Sequence, residues 1–279
     1  GRPLVSRLPD LIVQHFYVAP QIFPRTGSPE LAQRRGDFAG HYLTTRRTYS
    51  GLEGFVDQLM GGASVSVTHD GRLVTGAGDG VRTWTPEGPL DEGRFISTQG
   101  SERIAFDLAD GGARAFHVAN GTQVFERAPV WRQPRTLSIL AALTAAAALA
   151  TFAGVVVRNR REFRENQVQS RASLVQNIQA VLWLLAMALF GLWASKTGDL
   201  AQIMYRWPGV LMITASACAL VAAALTITTF IALPAIWRGG RRVDSWTHLR
   251  KAFFGVTVLI YAAFSVDLAL WGALSPWSG

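Results

Sequence analysis

"LSILAALTAAAALATFAGVVV", Leu137–Val157, contains no charged side chain from end to end. Crossing the hydrocarbon core of a bilayer takes about 20 consecutive, mostly apolar residues, so this stretch reads as a membrane span. Three more follow: Leu174–Ala194, Val210–Ile236 with Pro234 near its end, and Ala252–Leu274. Four spans packed side by side form a four-helix transmembrane bundle over 137–274.

Charge around the spans sets an expected topology. The whole chain is basic, with a formal charge of +8, 27 Lys+Arg and 19 Asp+Glu. Residues 1–136 hold 15 Arg against 14 Asp+Glu and net +1, so the excess lies later in the chain. Two short segments carry most of it. One bears Arg158, Arg160, Arg161, Arg164 and Arg171; the other bears Arg238, Arg241, Arg242, Arg250 and Lys251. Basic residues confined to short interspan loops are a topology signal, because such loops stay in the cytoplasm. Nucleic-acid binding is therefore not expected. The reading is a multi-pass protein of a bacterial inner membrane, with the N-terminal domain, the 196–209 loop and the C-terminus in the periplasm. Trp193, Tyr205, Trp207, Trp237, Trp246 and Trp277 fall near span ends, as an aromatic belt requires. Placing so long a domain outside ahead of the first span takes an export signal, so the expectation is the C-terminal part of a longer exported protein.

Asp267 is the one acid well inside a span and a functional candidate by default, since charge in lipid is costly. The preferred reading is that it pairs with Lys196 or Arg206, or reaches water. Gln176, Asn177 and Gln179 begin the second span and are read as caps or interhelical hydrogen-bonding groups. Cys218 and the small residues of spans one and three serve close helix packing.

Ahead of the spans the periodicity changes. Residues 7–17, "RLPDLIVQHFY", form a short amphipathic helix, and 18–36, with three Pro and two Gly, reads as a linker. Within 37–130 come short alternating runs: "FAGHYLTTRR", "SVSVTH", "RLVTGA", "VRTWT", "RFIST", "RIAFDL", "ARAFHV" and "TQVFERA". A helical turn, "GLEGFVDQLM", interrupts them after the first. Asp70-Gly71, Asp79-Gly80, Gln99-Gly100, Asp110-Gly111-Gly112 and Asn120-Gly121 separate the later runs. Asn and Gly accept the positive φ that tight hairpin turns need. The pattern predicts a small antiparallel β meander closed into a lipocalin-like barrel.

The search for chemistry returns little. His15, His41, His69, His117 and His248 show no metal-ligand spacing, and the single Cys lies in a span, so no metal site and no cofactor are expected. Gly76–Gly80 is glycine-rich but has no helix after it to cradle a phosphate. Lys196-Thr197-Gly198 matches one active-site motif of the penicillin-recognising serine hydrolases. Here it has neither the strand nor the Ser-x-x-Lys nucleophile that go with it, and it reads as a helix terminus. Tyr42, Arg46, Arg47 and Trp84 are the candidate ligand-binding residues of the β domain; strand-face packing and surface charge are the preferred reading of all four.

"FAGHYLTTRRTYSGLEGF", Phe38–Phe55, resembles the opening of the C-terminal domain found behind the catalytic domain of many bacterial β-lactamase-related, penicillin-binding-protein-like serine hydrolases. Its Gly40-His41-Tyr42-Leu43-Thr44-Thr45-Arg46 is similar to their Gly-x-Tyr-x-x-x-Arg strand. "WTPEGPL", Trp84–Leu90, resembles their Pro-x-Gly-Pro turn, and "RIAFDLADGGARAFHV", Arg103–Val118, their next strand pair. "DLAQIMYRWPG", Asp199–Gly209, and "ALPAIWRGG", Ala232–Gly240, resemble the membrane bundle that follows in a subset. The resemblance implies a parent with a Ser nucleophile and a Lys/Tyr base, cutting amide or ester bonds in the periplasm. Residues 1–17 would close its catalytic domain. All catalytic residues would precede Gly1, so none is assigned here. The expected function is membrane anchor and accessory β domain of such a hydrolase. The expected partners are the lipid bilayer and the upstream catalytic domain, and a homo-oligomer stays open. A non-enzymatic ligand-binding or sensing protein is the alternative. A transporter is weaker, with one buried acid and no broken helices.

Overall fold

The computed structural model describes residues 8, 12, 13, 16, 24–77, 80–109, 112–118, 122–158, 167–196, 207–238 and 246–278. The chain divides into two units, 1–47 with 60–128 and 48–59 with 129–279.

In the first unit each alternating run becomes a strand. They are β1 (Gly40–Thr44), β2 (Gly62–Val67), β3 (Leu73–Ala77), β4 (Gly80–Pro86), β5 (Arg94–Ser97), β6 (Arg103–Ala109), β7 (Gly112–Val118) and β8 (Val124–Arg127). Each pairs antiparallel with the next, and β1 pairs with β8 through Tyr42↔Arg127 and Thr44↔Phe125. The meander is thus a closed eight-stranded barrel, which leaves no exposed sheet edge. Burial alternates along the strands, most plainly in β6, where Ile104 and Phe106 are buried and Arg103, Ala105 and Asp107 exposed.

Aromatic rings fill the core. Phe38 meets Phe95 and Phe106 edge-on at 5.2 and 5.4 Å, Tyr42 meets Phe116 at 5.2 Å, and Phe116 stacks on Phe125 at 4.7 Å. Edge-to-face and offset contacts of this kind suit the ring quadrupole.

The predicted linker differs from what forms. Residues 29–38 fold as two short helices, α1 (Pro29–Gln33) and α2 (Arg35–Phe38), which bury Leu31 and Phe38 in the barrel core. Pro29 sits in the first turn, where its fixed φ and missing N–H favour helix initiation. Arg25 donates to the Gly100 carbonyl at 2.6 Å, the Thr85 hydroxyl to the Thr26 carbonyl at 2.8 Å, and Arg127 to the Ala39 carbonyl at 2.7 Å. Of the helix expected at 7–17, Leu8, Ile12, Val13 and Phe16 are helical with exposed side chains, and the rest lies outside the described residues.

The second unit holds α3 (Gly51–Met60, to Leu59 within this unit), α4 (Pro134–Arg158), α5 (Gln167–Ala194), α6 (Gly209–Arg238) and α7 (His248–Trp271). The last four contain the apolar spans, at mean hydropathies of 1.7 to 2.3. They form a ring in which each packs on the next and α7 returns to α4. The starts of α4 and α6 and the ends of α5 and α7 line one cavity, so the four alternate in direction. The helix ends bordering the two basic segments therefore share one end of the bundle. Arg160, Arg161, Arg164, Arg206, Arg241 and Arg242, and Tyr205, lie outside the described residues.

Polarity in this bundle is inverted relative to a water-soluble one. Leu149, Ile231, Leu259 and Val266 are exposed, whereas Thr144, Gln179, Thr226 and Thr257 are buried. Lipid tails accept the first group, and Gln179 and Thr226 of the second bond each other across helices. Gln179 Nε2 donates to Thr226 Oγ1 at 3.0 Å, and the Ser216 hydroxyl to the Ala273 carbonyl at 2.6 Å.

The helix α3 departs from the expected 37–130 domain. It follows β1 in sequence but packs with the membrane unit. Leu52 and Phe55 join the bundle core, with Phe55 at 5.4 Å from Phe190 and 6.1 Å from Trp271. The Leu52 N–H is accepted by Ser278, through its hydroxyl at 3.3 Å and its carbonyl at 3.4 Å. Gly272 ends α7 at φ +83, and a Cβ there would lie 2.7 Å from the Gly51 carbonyl oxygen. Glycine permits both the left-handed conformation and that approach.

Candidate functional site

The four candidates of the β domain do not gather at one open surface. Tyr42 is 0 % exposed, and its hydroxyl donates to the Phe38 carbonyl at 2.7 Å. Burial pushes its phenol up to about 12, partly offset by the Arg127 guanidinium. Trp84 is 2 % exposed, with its indole N–H on the Thr75 hydroxyl at 2.8 Å. Both polar tips are therefore spent inside the barrel core, as buried Tyr and Trp require. Arg46 is exposed, and the Arg47 guanidinium holds the Thr44 carbonyl. His41, on β1, is half-buried. Burial lowers its pKa, and its Nε2 has no hydrogen-bond partner among the described residues.

In the membrane unit, Asp267 is 4 % exposed, and its Oδ2 has no partner among the described residues. Lys196 is exposed and makes no ion pair with it among the described residues. The Lys196 N–H bonds the Trp193 carbonyl at 3.0 Å in the turn that ends α5; Thr197 and Gly198 lie outside the described residues. No group of three His, Cys, Asp or Glu suited to a metal occurs among the described residues.

This unit holds an apolar cavity of about 410 Å³. Leu52, Phe55 and Leu59 of α3 border it, at i, i+3 and i+7, the spacing of one helical face. The starts of α4 and α6 supply small residues, Ala141 and Ala145 from one and Ala215 and Ala219 from the other. The ends of α5 and α7 supply large ones, Trp183 and Phe190 from the first and Phe264 and Leu268 from the second. Small side chains facing large ones leave the space. Among the described residues no charged side chain lines it. The sequence showed the alanines only as packing residues and α3 only as a helical turn. The signal that could have been read is the apolar face of α3 beside a charged one, Glu53 and Asp57.

Comparison with protein-family models, with curated proteins and with solved structures finds no match to this chain.

Proposed function

We propose that this chain is the membrane anchor and accessory β domain of a periplasmic serine hydrolase of β-lactamase-like type, and that it carries none of the catalytic residues itself. The observation that carries the reading is the interleaving of the two units in sequence. The chain passes between barrel and bundle at 47–48, 59–60 and 128–129. Three chain crossings, where a tethered domain needs only one, join the barrel to the membrane helices. That suits a platform which fixes a neighbouring domain at a membrane surface. The ring-filled core also suits a platform, since a rigid packed interior resists deformation. The Gly40–Arg46 strand and the Trp84–Leu90 and Arg103–Val118 segments support the β-lactamase-related origin by resemblance.

The test is labelling of native membranes with a fluorophosphonate or penicillin probe, followed by capture with an antibody to residues 38–130. The expected result is a labelled species well above the 30.3 kDa of this chain. Capture of the full-length protein without label, from membranes whose other serine hydrolases do label, overturns the reading. A second reading, a non-enzymatic ligand-binding protein, has one observation in its favour. That is the cavity among α3–α7, since the barrel core is occupied by its own side chains.

A further inference from the structure

The cavity in the membrane unit has a closed side and an open side. Every lining residue on α6 and α7 is buried. The exposed lining residues are Ser138 and Ala142 on α4 and Gly191 on α5. A Cβ built on Gly191 has nothing within 4 Å. The opening is therefore lateral, between two neighbouring spans, and what lies outside a span at that level is bilayer.

The far end is closed as well. Along α4 the lining runs from Leu137 to Ala145, about 12 Å at the helical rise. The next turns bury Ala147, Ala148 and Thr151 against the other helices. A blind pocket of that depth is shorter than the half-thickness of the hydrocarbon core, about 15 Å. It can receive the end of a chain. It cannot receive a spanning helix of a partner, which would need the whole length of the bundle. The polar inventory points the same way. The Ser138 hydroxyl is used on the Pro134 carbonyl at 2.8 Å and the Ser216 hydroxyl on the Ala273 carbonyl at 2.6 Å. That leaves one unpartnered donor on a lining side chain among the described residues, the Trp183 indole N–H, and no charge to hold a headgroup.

We propose that this pocket takes one acyl chain of a bilayer phospholipid, admitted sideways between α4 and α5, with its headgroup left outside. The apolar face of α3 forms the pocket's border at the end of the bundle where the chain enters and the headgroup stays. Lipid contact through general solvation would label every exposed apolar side chain alike. A built pocket labels a buried set. The proposal is independent of whether a hydrolase domain precedes this chain.

The test uses native membranes containing the full protein and phosphatidylethanolamine with a diazirine in one acyl chain, either near the glycerol or near the methyl end. Crosslinked sites are mapped by peptide mass spectrometry. The expected result is depth-ordered labelling. The glycerol-proximal probe marks Leu137 and Ala141, and the methyl-end probe marks Ala145 and Trp183. Gly191→Phe, at a position open enough to accept the ring, lowers cavity labelling at least tenfold and leaves labelling of outward Leu149 and Leu185 unchanged. Gly191→Ala leaves both unchanged. Labelling confined to outward residues, cavity labelling insensitive to Gly191→Phe, or probe placement that does not follow diazirine depth would each overturn the proposal. So would crosslinking of these residues to a partner protein in place of lipid.

Discussion

Replacing Phe106 by alanine removes the ring on which four others converge. Phe38 lies 5.4 Å away, Tyr42 6.1 Å, Phe95 5.4 Å and Phe116 5.3 Å. Phe→Ala in a core costs about 3–5 kcal/mol, and the value depends on how far the surroundings collapse into the hole. Here the neighbours are planar rings fixed on four separate elements, α2, β1, β5 and β7, so collapse is limited and about 4 kcal/mol is expected. That is a large share of the roughly 5–15 kcal/mol that holds a typical domain together.

The measurement is hydrogen exchange by mass spectrometry on the full chain in detergent, following peptides of β5, β6 and β7. At about 1.4 kcal/mol per tenfold, amides that exchange only through barrel opening should speed up by roughly a thousandfold. Peptides of α5 and α6 should not change. Phe106→Leu keeps most of the volume and should cost under about 1.5 kcal/mol, near tenfold. Acceleration below tenfold in the alanine variant would refute the reasoning. It would mean that the barrel interior is slack, which is the condition of a ligand-holding barrel and not of a filled one.

Three further outcomes follow from particular contacts. Gly272→Ala must place a Cβ 2.7 Å from the Gly51 carbonyl oxygen at φ +83; left-handed geometry alone costs about 1–2 kcal/mol, so exchange and proteolysis at 52–59 should rise while the barrel strands stay protected, and unchanged protection at 52–59 would remove the proposed seat of α3. Thr226→Val removes the nearer acceptor of the buried Gln179 amide, leaving it the Thr229 hydroxyl at 3.5 Å, and should lower stability in mixed detergent–SDS micelles by about 1 kcal/mol, whereas Gln179→Leu with Thr226→Val removes both members of the pair and should recover most of the loss; a double variant no better than the single one would refute the pairing. Burial lowers the pKa of His41, so the unfolded chain, titrating near 6.5, takes up that proton first as pH falls. The barrel's stability should be full above about pH 6.5 and decline below it, and His41→Gln should flatten that slope in intrinsic-rate-corrected exchange of β1 and β2.

Eight strands and four spans were legible because both depend on strong periodic signals. Alternation such as that of Ile104, Phe106 and Leu108 can bury only one face of a strand, and the glycine-bearing turns fix where each strand stops. A span needs only length and apolarity. The misread segments are those whose meaning depends on a partner. Residues 18–36 look like a linker by their Pro and Gly content, yet Pro29 starts a helix, and Leu31 is an apolar anchor whose destination no local pattern reveals. The segment 51–60 is visibly helical, but an apolar face formed by Leu52, Phe55 and Leu59 does not say whether barrel or bundle will cover it. Tyr42 and Trp84 drew attention as amphipathic aromatics. Their polar tips find the Phe38 carbonyl and the Thr75 hydroxyl, which only the closed barrel brings within reach.

The cavity was illegible for a related reason. Alanines such as Ala141, Ala145, Ala215 and Ala219 are the residues that let spans approach closely, and sequence alone predicts contact from them. Whether small residues produce contact or space depends on what faces them. Against another small residue the backbones close up. Against Trp183, Phe190 and Phe264 the large side chains hold the helices apart and the alanines become the wall of a void. In water such an apolar void would cost stability with nothing to offset it. In a bilayer the surrounding solvent is itself hydrocarbon, so a void with a side opening can be filled by a lipid chain at little cost. The open side between Ser138, Ala142 and Gly191 is the feature that separates a fillable pocket from a packing defect, and it is the feature that the Gly191→Phe substitution addresses.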